Sequence, residues 1–203
     1  MLIPEFLKWE YRIIHYKYLY PNDSVFIHIP KTGGLSYYKS KYKISLGHFS
    51  IKEFQEKTKL FDKKFTTIFR NPVDRFVSSI NHMRNNGGND SQFNDKKFKE
   101  KFGKSNIEEI LKFLENNLDS LNYLDPIFRE QSFYLINSNS FQSLKIYNFS
   151  KFNFKKKINL NSNKKDIILT DIQKRRINYI YSRDSKIFSQ IEKKEFVKFF
   201  KNL

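Results

Sequence analysis

The sequence contains no cysteine and no alanine, and only 6 glycines and 5 prolines occur among its 203 residues. The missing cysteines exclude disulfide bonds, zinc–thiolate sites and a thiol nucleophile. The 4 histidines are scattered along the chain, which argues against a metal site made of histidine alone. Catalytic chemistry in this chain would therefore come from hydroxyl, carboxylate, imidazole or cationic side chains.

Acidic residues are also outnumbered by basic ones. The chain has 38 Lys and Arg but only 21 Asp and Glu, which gives a net charge of +17. Hydrophobic residues make up 39% of the chain, with 22 Phe, 12 Tyr and 22 Ile, which is too apolar for a disordered polycation. The basic residues are 30 Lys and only 8 Arg, and Asn is abundant at 20. Such a bias is typical of compositional drift, so net charge alone is weak evidence for an anionic partner. Length and composition predict a single folded basic domain over residues 1–203.

No apolar run approaches the roughly 18 residues that are needed to span a bilayer. Charged residues interrupt the N-terminal segment, which we interpret as an arm or helix over residues 1–22. This segment lacks the clean apolar stretch and the small-residue cleavage site of a signal peptide. The sequence therefore predicts a cytoplasmic protein without a membrane span.

Short apolar runs alternate with amphipathic segments along the chain. Buried strands are predicted at 25–29, 65–69 and 144–149; helices are predicted from Pro72, from Ser105 to about 117, over 127–136, from Thr170 to about 182, and from Asp184 to about 200. Two polar stretches predict loops: 86–104, expected to be mobile, and 151–165, which contains six Lys and no acid. Strand–turn–helix units in succession are typical of an α/β fold.

The first chemically informative segment is residues 25–36, with the sequence VFIHIPKTGGLS. A predicted buried strand ends there in a glycine-containing loop that carries Lys31 and leads into a helix. This arrangement directs backbone N–H groups at a phosphate. The segment is not the GxxxxGK[ST] loop of nucleoside triphosphatases, because Lys31 precedes the glycines. An ordinary strand–helix turn, in which the glycines only supply positive φ angles, is the alternative interpretation.

The second informative segment is residues 66–80, with the sequence TTIFRNPVDRFVSSI. Arg70 follows a predicted strand, and Ser78 lies about two turns into the helix that begins near Pro72. A guanidinium and a hydroxyl suit a terminal phosphate, because Arg supplies a fork of donors and Ser a short hydrogen bond. Both residues also fit structural roles, Arg70 at a strand end and Ser78 on a helix face.

Together the two segments resemble the 5′-phosphosulfate loop and the 3′-phosphate motif of sulfotransferases that use 3′-phosphoadenosine 5′-phosphosulfate (PAPS). The most similar branch contains carbohydrate sulfotransferases, including the heparan sulfate 2-O-sulfotransferases and bacterial relatives, in which HIPKTGGTS-like and LRxPVxRxxS-like strings occur in this order. The resemblance implies a P-loop-like, three-layer α/β sandwich whose central, mostly parallel sheet is flanked by helices. It also implies PAPS as the donor, adenosine 3′,5′-bisphosphate as the product, no metal, and a carbohydrate acceptor.

By this resemblance, the residues holding the 5′-phosphosulfate would be Lys31, Thr32, Gly33, Gly34, Leu35 and Ser36. Arg70 and Ser78 would hold the 3′-phosphate. The family often has Thr where Leu35 stands, so this position offers a ligand only its backbone N–H. Weaker similarities to the family occur at Gly47-His48-Phe49, at residues 130–135, at residues 158–164 and at Tyr181-x-x-Asp184.

The acceptor hydroxyl must lose a proton, and His48 is the predicted base. Histidine titrates near neutral pH, and Gly47-His48 falls where the family often has a Gly-His pair. Lys31 is predicted to stabilise the departing phosphate oxygen. His28 lies within an apolar strand and is interpreted as a core residue. The alternative bases are the carboxylates of Glu53, Glu56 and Glu130.

Other functions remain open at this point. The charge and the aromatic residues also fit a domain that binds nucleic acid or another polyanion, although no helix-turn-helix, zinc or RNP pattern is present. A sulfotransferase-like protein that binds the nucleotide without turnover is a further alternative. The lysine-rich 151–165 segment either borders the nucleotide or an anionic glycan, or is a solvated loop.

Overall fold

The computed structural model describes residues 24–34, 36–37, 47–84, 102–136, 143–153 and 167–199. Contacts divide the chain into two compact units. The first, called the sheet unit below, consists of Met1–Phe69, Tyr134–Ile158 and Lys194–Leu203. The second, called the helical unit, consists of Arg70–Phe133 and Asn159–Lys193. The predicted N-terminal arm, residues 86–101 of the first predicted loop and residues 154–165 of the second lie outside the described residues.

Among its described residues, the sheet unit contains a mixed sheet of four strands: β1 (Val25–Ile27), β2 (Lys64–Phe69), β3 (Ser143–Asn148) and β4 (Phe196–Phe199). The strands follow one another in the order β1-β2-β3-β4. The first three strands are parallel, and β4 runs antiparallel to β3. The predicted α/β class and the three predicted strands are thus confirmed, with small shifts at the strand ends.

Strands β1 and β2 are mostly apolar because their residues are buried on both faces of the sheet. All residues of β1, and those of β2 from Phe65 to Phe69, are buried. Helix α1 (Ile51–Thr58), which the sequence analysis did not predict, places the Phe54 ring edge-on to Phe65 at 5.9 Å between centroids. A capping box between Ser50 and Glu53 starts α1, and Lys59 ends it in a left-handed conformation.

The helical unit contains α2 (Pro72–Arg84), α3 (Ile107–Glu115), α4 (Asp171–Ile180) and α5 (Ser182–Ile191), with a 3₁₀ turn at Leu118–Tyr123. Their apolar faces contribute to one core, whose members include Phe76, Ile80, Leu111, Leu114, Phe128 and Ile177. Asn71 starts α2 by accepting the amide hydrogen of Val73 at 2.9 Å, and Pro72 occupies the first helical position. The predicted capping box of Thr170 with Gln173 is confirmed.

One predicted helix is wrong, and a second is confirmed only in its first part. Residues 127–136 form turns followed by a short 3₁₀ helix at Ser132–Leu135, since the amides of Gln131 and Ser132 donate to the Asp184 carboxylate instead of to a helical ladder. The last helix ends at Ile191, and Phe196–Phe199 pairs with β3 as a strand instead. There the Phe196 ring packs against Tyr147 at 5.6 Å, a cross-strand contact that favours the strand.

Two caps also differ from their predictions. The box that opens α3 joins Asn106 with Glu109 instead of Ser105 with Glu108. This shift by one residue places Ile110, Leu111 and Leu114 on the buried face of α3. Asp184 does not cap α5, since it lies within the first turn and its carboxylate accepts from another segment.

None of the helices in the described part of the chain has the length and apolar character required to cross a membrane.

Candidate functional site

The loop after β1 has an unusual backbone conformation. Lys31 has a φ of 66° and Gly33 a φ of 80°, so two residues in three adopt the left-handed conformation. Residues 34, 36 and 37 are helical, and the Tyr37 amide donates to the Gly33 carbonyl at 3.2 Å. A positive φ at a residue other than glycine is uncommon and is found at functional positions. Backbone N–H groups form anion-binding turns where left-handed residues alternate with others, so this loop is a candidate for such a turn.

Two further predicted residues of this loop can be placed. Thr32 is buried and its hydroxyl donates to the Ile29 carbonyl at 2.9 Å. Its side chain thus stabilises the turn, and contact with a phosphate would come from its backbone. Ser36 is half-buried, and Leu35 lies outside the described residues.

Gly34 is needed for space, whereas Gly33 is needed for its φ angle. A Cβ atom at residue 34 would lie 1.8 Å from Cδ2 and 2.2 Å from Nε2 of His28. The His28 ring is buried at the end of β1 and occupies the space beside the loop. The ring and the backbone of Gly34 therefore leave no room for a side chain at this position.

His48 contacts the same ring. Its Nδ1 lies 2.9 Å from the His28 carbonyl oxygen, and the two ring centroids are 4.1 Å apart. A carbonyl oxygen can only accept, so this hydrogen bond requires the proton on Nδ1. In the neutral ring the lone pair is then on Nε2, which is the nitrogen able to take a proton.

His28 itself is a poor base. Burial is the main factor that lowers its pKa well below the usual value, and the positive charges of His48 and Lys31 lower it further. The ring is therefore neutral near pH 7. The prediction that His28 is a core residue agrees with its burial, and its backbone carbonyl also orients His48.

Arg70, in the helical unit, follows the last residue of β2 and is half-buried. Burial lowers the pKa of its guanidinium, the neighbouring Arg75 lowers it further, and Asp74 opposes both. A partly desolvated cation with a second cation nearby is stabilised by an added anion. This environment suits the predicted contact with a phosphate.

The two adjacent serines of α2 have different environments. Ser79 is buried, and its hydroxyl donates to the carbonyls of Arg75 and Ile127, each at 3.0 Å. Ser78 is half-buried, and within the described ranges its hydroxyl has no hydrogen-bond partner. Of these two serines, Ser78 is thus the one whose hydroxyl is available to a ligand.

The alternative bases already have partners. Glu53 accepts from the Ser50 amide at 2.7 Å in the capping box, and Glu130 accepts from Asn122 at 3.0 Å. Glu56 is exposed and lies 3.9 Å from Lys52. His48 therefore stays the best candidate among the described residues.

The helical unit contains a group of buried polar side chains whose contacts were not predicted from the sequence. Arg75, Gln131 and Asp184 are all nearly inaccessible to solvent, and each bonds to the backbone of another segment. The strings Gln131-Ser132 and Tyr181-x-x-Asp184 marked these positions, but no local pattern indicated that they meet.

Comparison with known protein families, curated proteins and solved structures finds no match to this chain. Within the described ranges, no three His, Asp or Glu side chains are grouped as metal ligands.

Proposed function

We propose that this chain is a sulfotransferase that moves the sulfuryl group of PAPS to a hydroxyl of a carbohydrate acceptor by in-line transfer. The contact of His48 with His28 supports the proposal most directly. His48 packs on His28, and His28 in turn lies against Gly34 in the loop that carries Lys31, so a candidate base lies near this loop. Such a transfer requires a base for the acceptor proton and a loop that stabilises the charge of the leaving phosphate, and an imidazole and an anion-binding loop supply these two parts. Under this proposal the fold belongs to the P-loop-like class.

The transfer would use this chain's residues as follows. The acceptor oxygen bonds to sulfur while the bond between sulfur and the 5′-phosphate oxygen breaks. That oxygen leaves with the electron pair in adenosine 3′,5′-bisphosphate, and Lys31 and the loop amides stabilise its charge. The acceptor proton moves to His48 Nε2, and the resulting imidazolium keeps its Nδ1–H bond to the His28 carbonyl. Arg70 and Ser78 are the proposed contacts of the 3′-phosphate.

Nucleotide binding is tested by thermal unfolding with adenosine 3′,5′-bisphosphate, adenosine 5′-phosphate, ATP with Mg²⁺, and duplex DNA. The bisphosphate is expected to raise the unfolding free energy by about 2.7 kcal/mol at a concentration of about 100 times its Kd. Stabilisation by DNA alone, lost at moderate salt, would favour a polyanion-binding domain instead.

Turnover is tested by transfer of labelled sulfate from PAPS to a panel of oligosaccharides. We expect His48→Ala to lower the rate by roughly 10²-fold or more while the bisphosphate still binds. If the wild-type chain bound the bisphosphate but transferred no sulfate to any hydroxyl, it would be a nucleotide-binding protein without this activity.

A further inference from the structure

Gln131 contacts both polar backbone groups of Arg70. The Arg70 amide donates to Gln131 Oε1 at 3.0 Å, and Gln131 Nε2 donates to the Arg70 carbonyl at 2.8 Å. The Gln131 side chain is fully buried. One side-chain amide therefore pairs Arg70 in the way that a neighbouring strand would, just past the end of β2.

Gln131 is held in turn by α5. Its amide donates to Asp184 Oδ2 at 2.7 Å, and the Ser132 amide donates to Oδ1 at 2.8 Å. The Tyr181 hydroxyl, next to the start of α5, donates to the Phe128 carbonyl at 2.9 Å. The segment that carries Gln131 is thus fixed at several backbone positions.

The same segment is also bonded to α2. The buried guanidinium of Arg75 donates to the Arg129 carbonyl at 2.8 Å and to the Pro126 carbonyl at 3.4 Å. Arg75 lies one turn into the helix that begins directly after Arg70 and Asn71. Arg70, two residues before α2, and Arg75, in the first turn of α2, are therefore both bonded to this single segment.

We propose that Gln131 is the positioning residue for Arg70, fixing its backbone so that the guanidinium is directed at the 3′-phosphate of the nucleotide. The inference rests on the proposed function and extends it to a residue outside the two motifs. Arg70 lies in the short connection between β2, which ends at Phe69, and α2, which begins at Pro72. In this connection the side chain of Gln131 bonds to both peptide groups of Arg70. A fixed backbone reduces the conformational entropy that this segment loses when Arg70 binds an anion.

The role is tested by how strongly the chain prefers adenosine 3′,5′-bisphosphate over adenosine 5′-phosphate, measured as the ratio of the two Kd values. Gln131→Met keeps the side-chain length and removes both hydrogen bonds. We expect this ratio to fall by roughly 10-fold or more, toward the value of Arg70→Ala. A purely structural glutamine would change both affinities equally and leave the ratio unchanged.

Gln55→Met is the matched control. Gln55 is equally buried, lies in α1 and donates to the Phe61 carbonyl at 3.2 Å, so its loss is expected to lower stability without changing the ratio. Should Gln131→Met not fold, Gln131→Glu keeps an acceptor for the Arg70 amide and is expected to retain part of the preference.

Hydrogen exchange at the Arg70 amide separates failure of this inference from failure of the proposed function. Gln131→Met should accelerate that exchange, and Gln55→Met should not. Faster exchange with an unchanged Kd ratio would overturn the positioning role, whereas unchanged exchange would show that the contact itself is wrong. If the wild-type chain bound neither nucleotide, the proposed function would fail and with it the role of Arg70.

Discussion

Lys31 and Lys59 are the two residues other than glycine that have a positive φ in the described part of the chain, with values of 66° and 58°. The left-handed conformation costs roughly 1–2 kcal/mol at such a residue. Lys59 ends a helix, where this conformation is common. Lys31 lies in a loop between β1 and the helical residues, where the proposed contact with the leaving oxygen would give this conformation a role.

We predict that Lys31→Ala lowers the rate of sulfate transfer by about 10²–10³-fold, because it removes the cation proposed to stabilise the leaving oxygen. Lys59→Ala is the control, since it removes a lysine of the same backbone conformation within the same unit. Rates are measured with saturating PAPS, and stability by urea unfolding. Transfer by Lys31→Ala within a few fold of the wild-type rate would remove Lys31 from this role.

The contact of His28 with Gly34 makes a second prediction. Gly34→Ala forces a Cβ atom into the space of the imidazole, and such overpacking typically costs about 1–3 kcal/mol. His28→Ala opens that space, so the double variant is expected to lose less stability than the sum of the two single variants. Urea unfolding of all four proteins measures this coupling. Strictly additive losses would show that ring and backbone do not compete for the same space.

Secondary-structure elements could be predicted from the sequence where their signals are local. The buried strands appear as apolar runs, and α4 begins at a capping box that is visible in the sequence. The predicted helix over 127–136 failed because its amides bond to Asp184, which lies about 50 residues further along the chain. Phe196 and Phe199 fit a helix in spacing, but pairing with β3 places them in a strand.

The candidate site divides in the same way. The loop residues and Arg70 follow strand ends and could be recognised from two short motifs. Their supports could not, because the His28 carbonyl that orients His48 and the Gln131 amide that pairs Arg70 are contacts across 20 and 61 residues of sequence. No local pattern specifies which distant backbone group a buried side chain will reach.

At the scale of the whole molecule, the chain carries a net charge of +17, yet a carboxyl group, that of Asp184, is buried in the helical unit. Asp184 is fully inaccessible to solvent. Burial raises its pKa to about 6, even though Arg75 and the amides of Gln131 and Ser132 act in the opposite direction. The ordinary value for this carboxyl is 3.8. A folded-state pKa above the unfolded value means that the folded chain binds more protons between these two pH values.

Stability from this group is therefore fully present below about pH 4 and is lost as the pH rises through 6. The rise from 3.8 to about 6 corresponds to about 3 kcal/mol. We predict that the free energy of unfolding of Asp184→Asn, measured with urea between pH 4 and 7, rises relative to that of the wild-type chain by about this amount as the pH increases. Asp171→Asn, at an exposed position of the same unit, is the control for removing one negative charge.

The same variant separates stability from function. An asparagine amide can accept from only one of the two amides that the Asp184 carboxylate now binds, so the Gln131 segment loses one of its fixed points. We therefore expect Asp184→Asn to gain stability relative to the wild-type chain between pH 4 and 7, yet to prefer adenosine 3′,5′-bisphosphate less strongly near pH 7. Such a stability–function conflict is typical of groups kept for positioning. If the unfolding free energies of variant and wild type changed in parallel with pH, ionisation of Asp184 would not lower stability. An unchanged preference for the bisphosphate would show that Asp184 does not support Arg70.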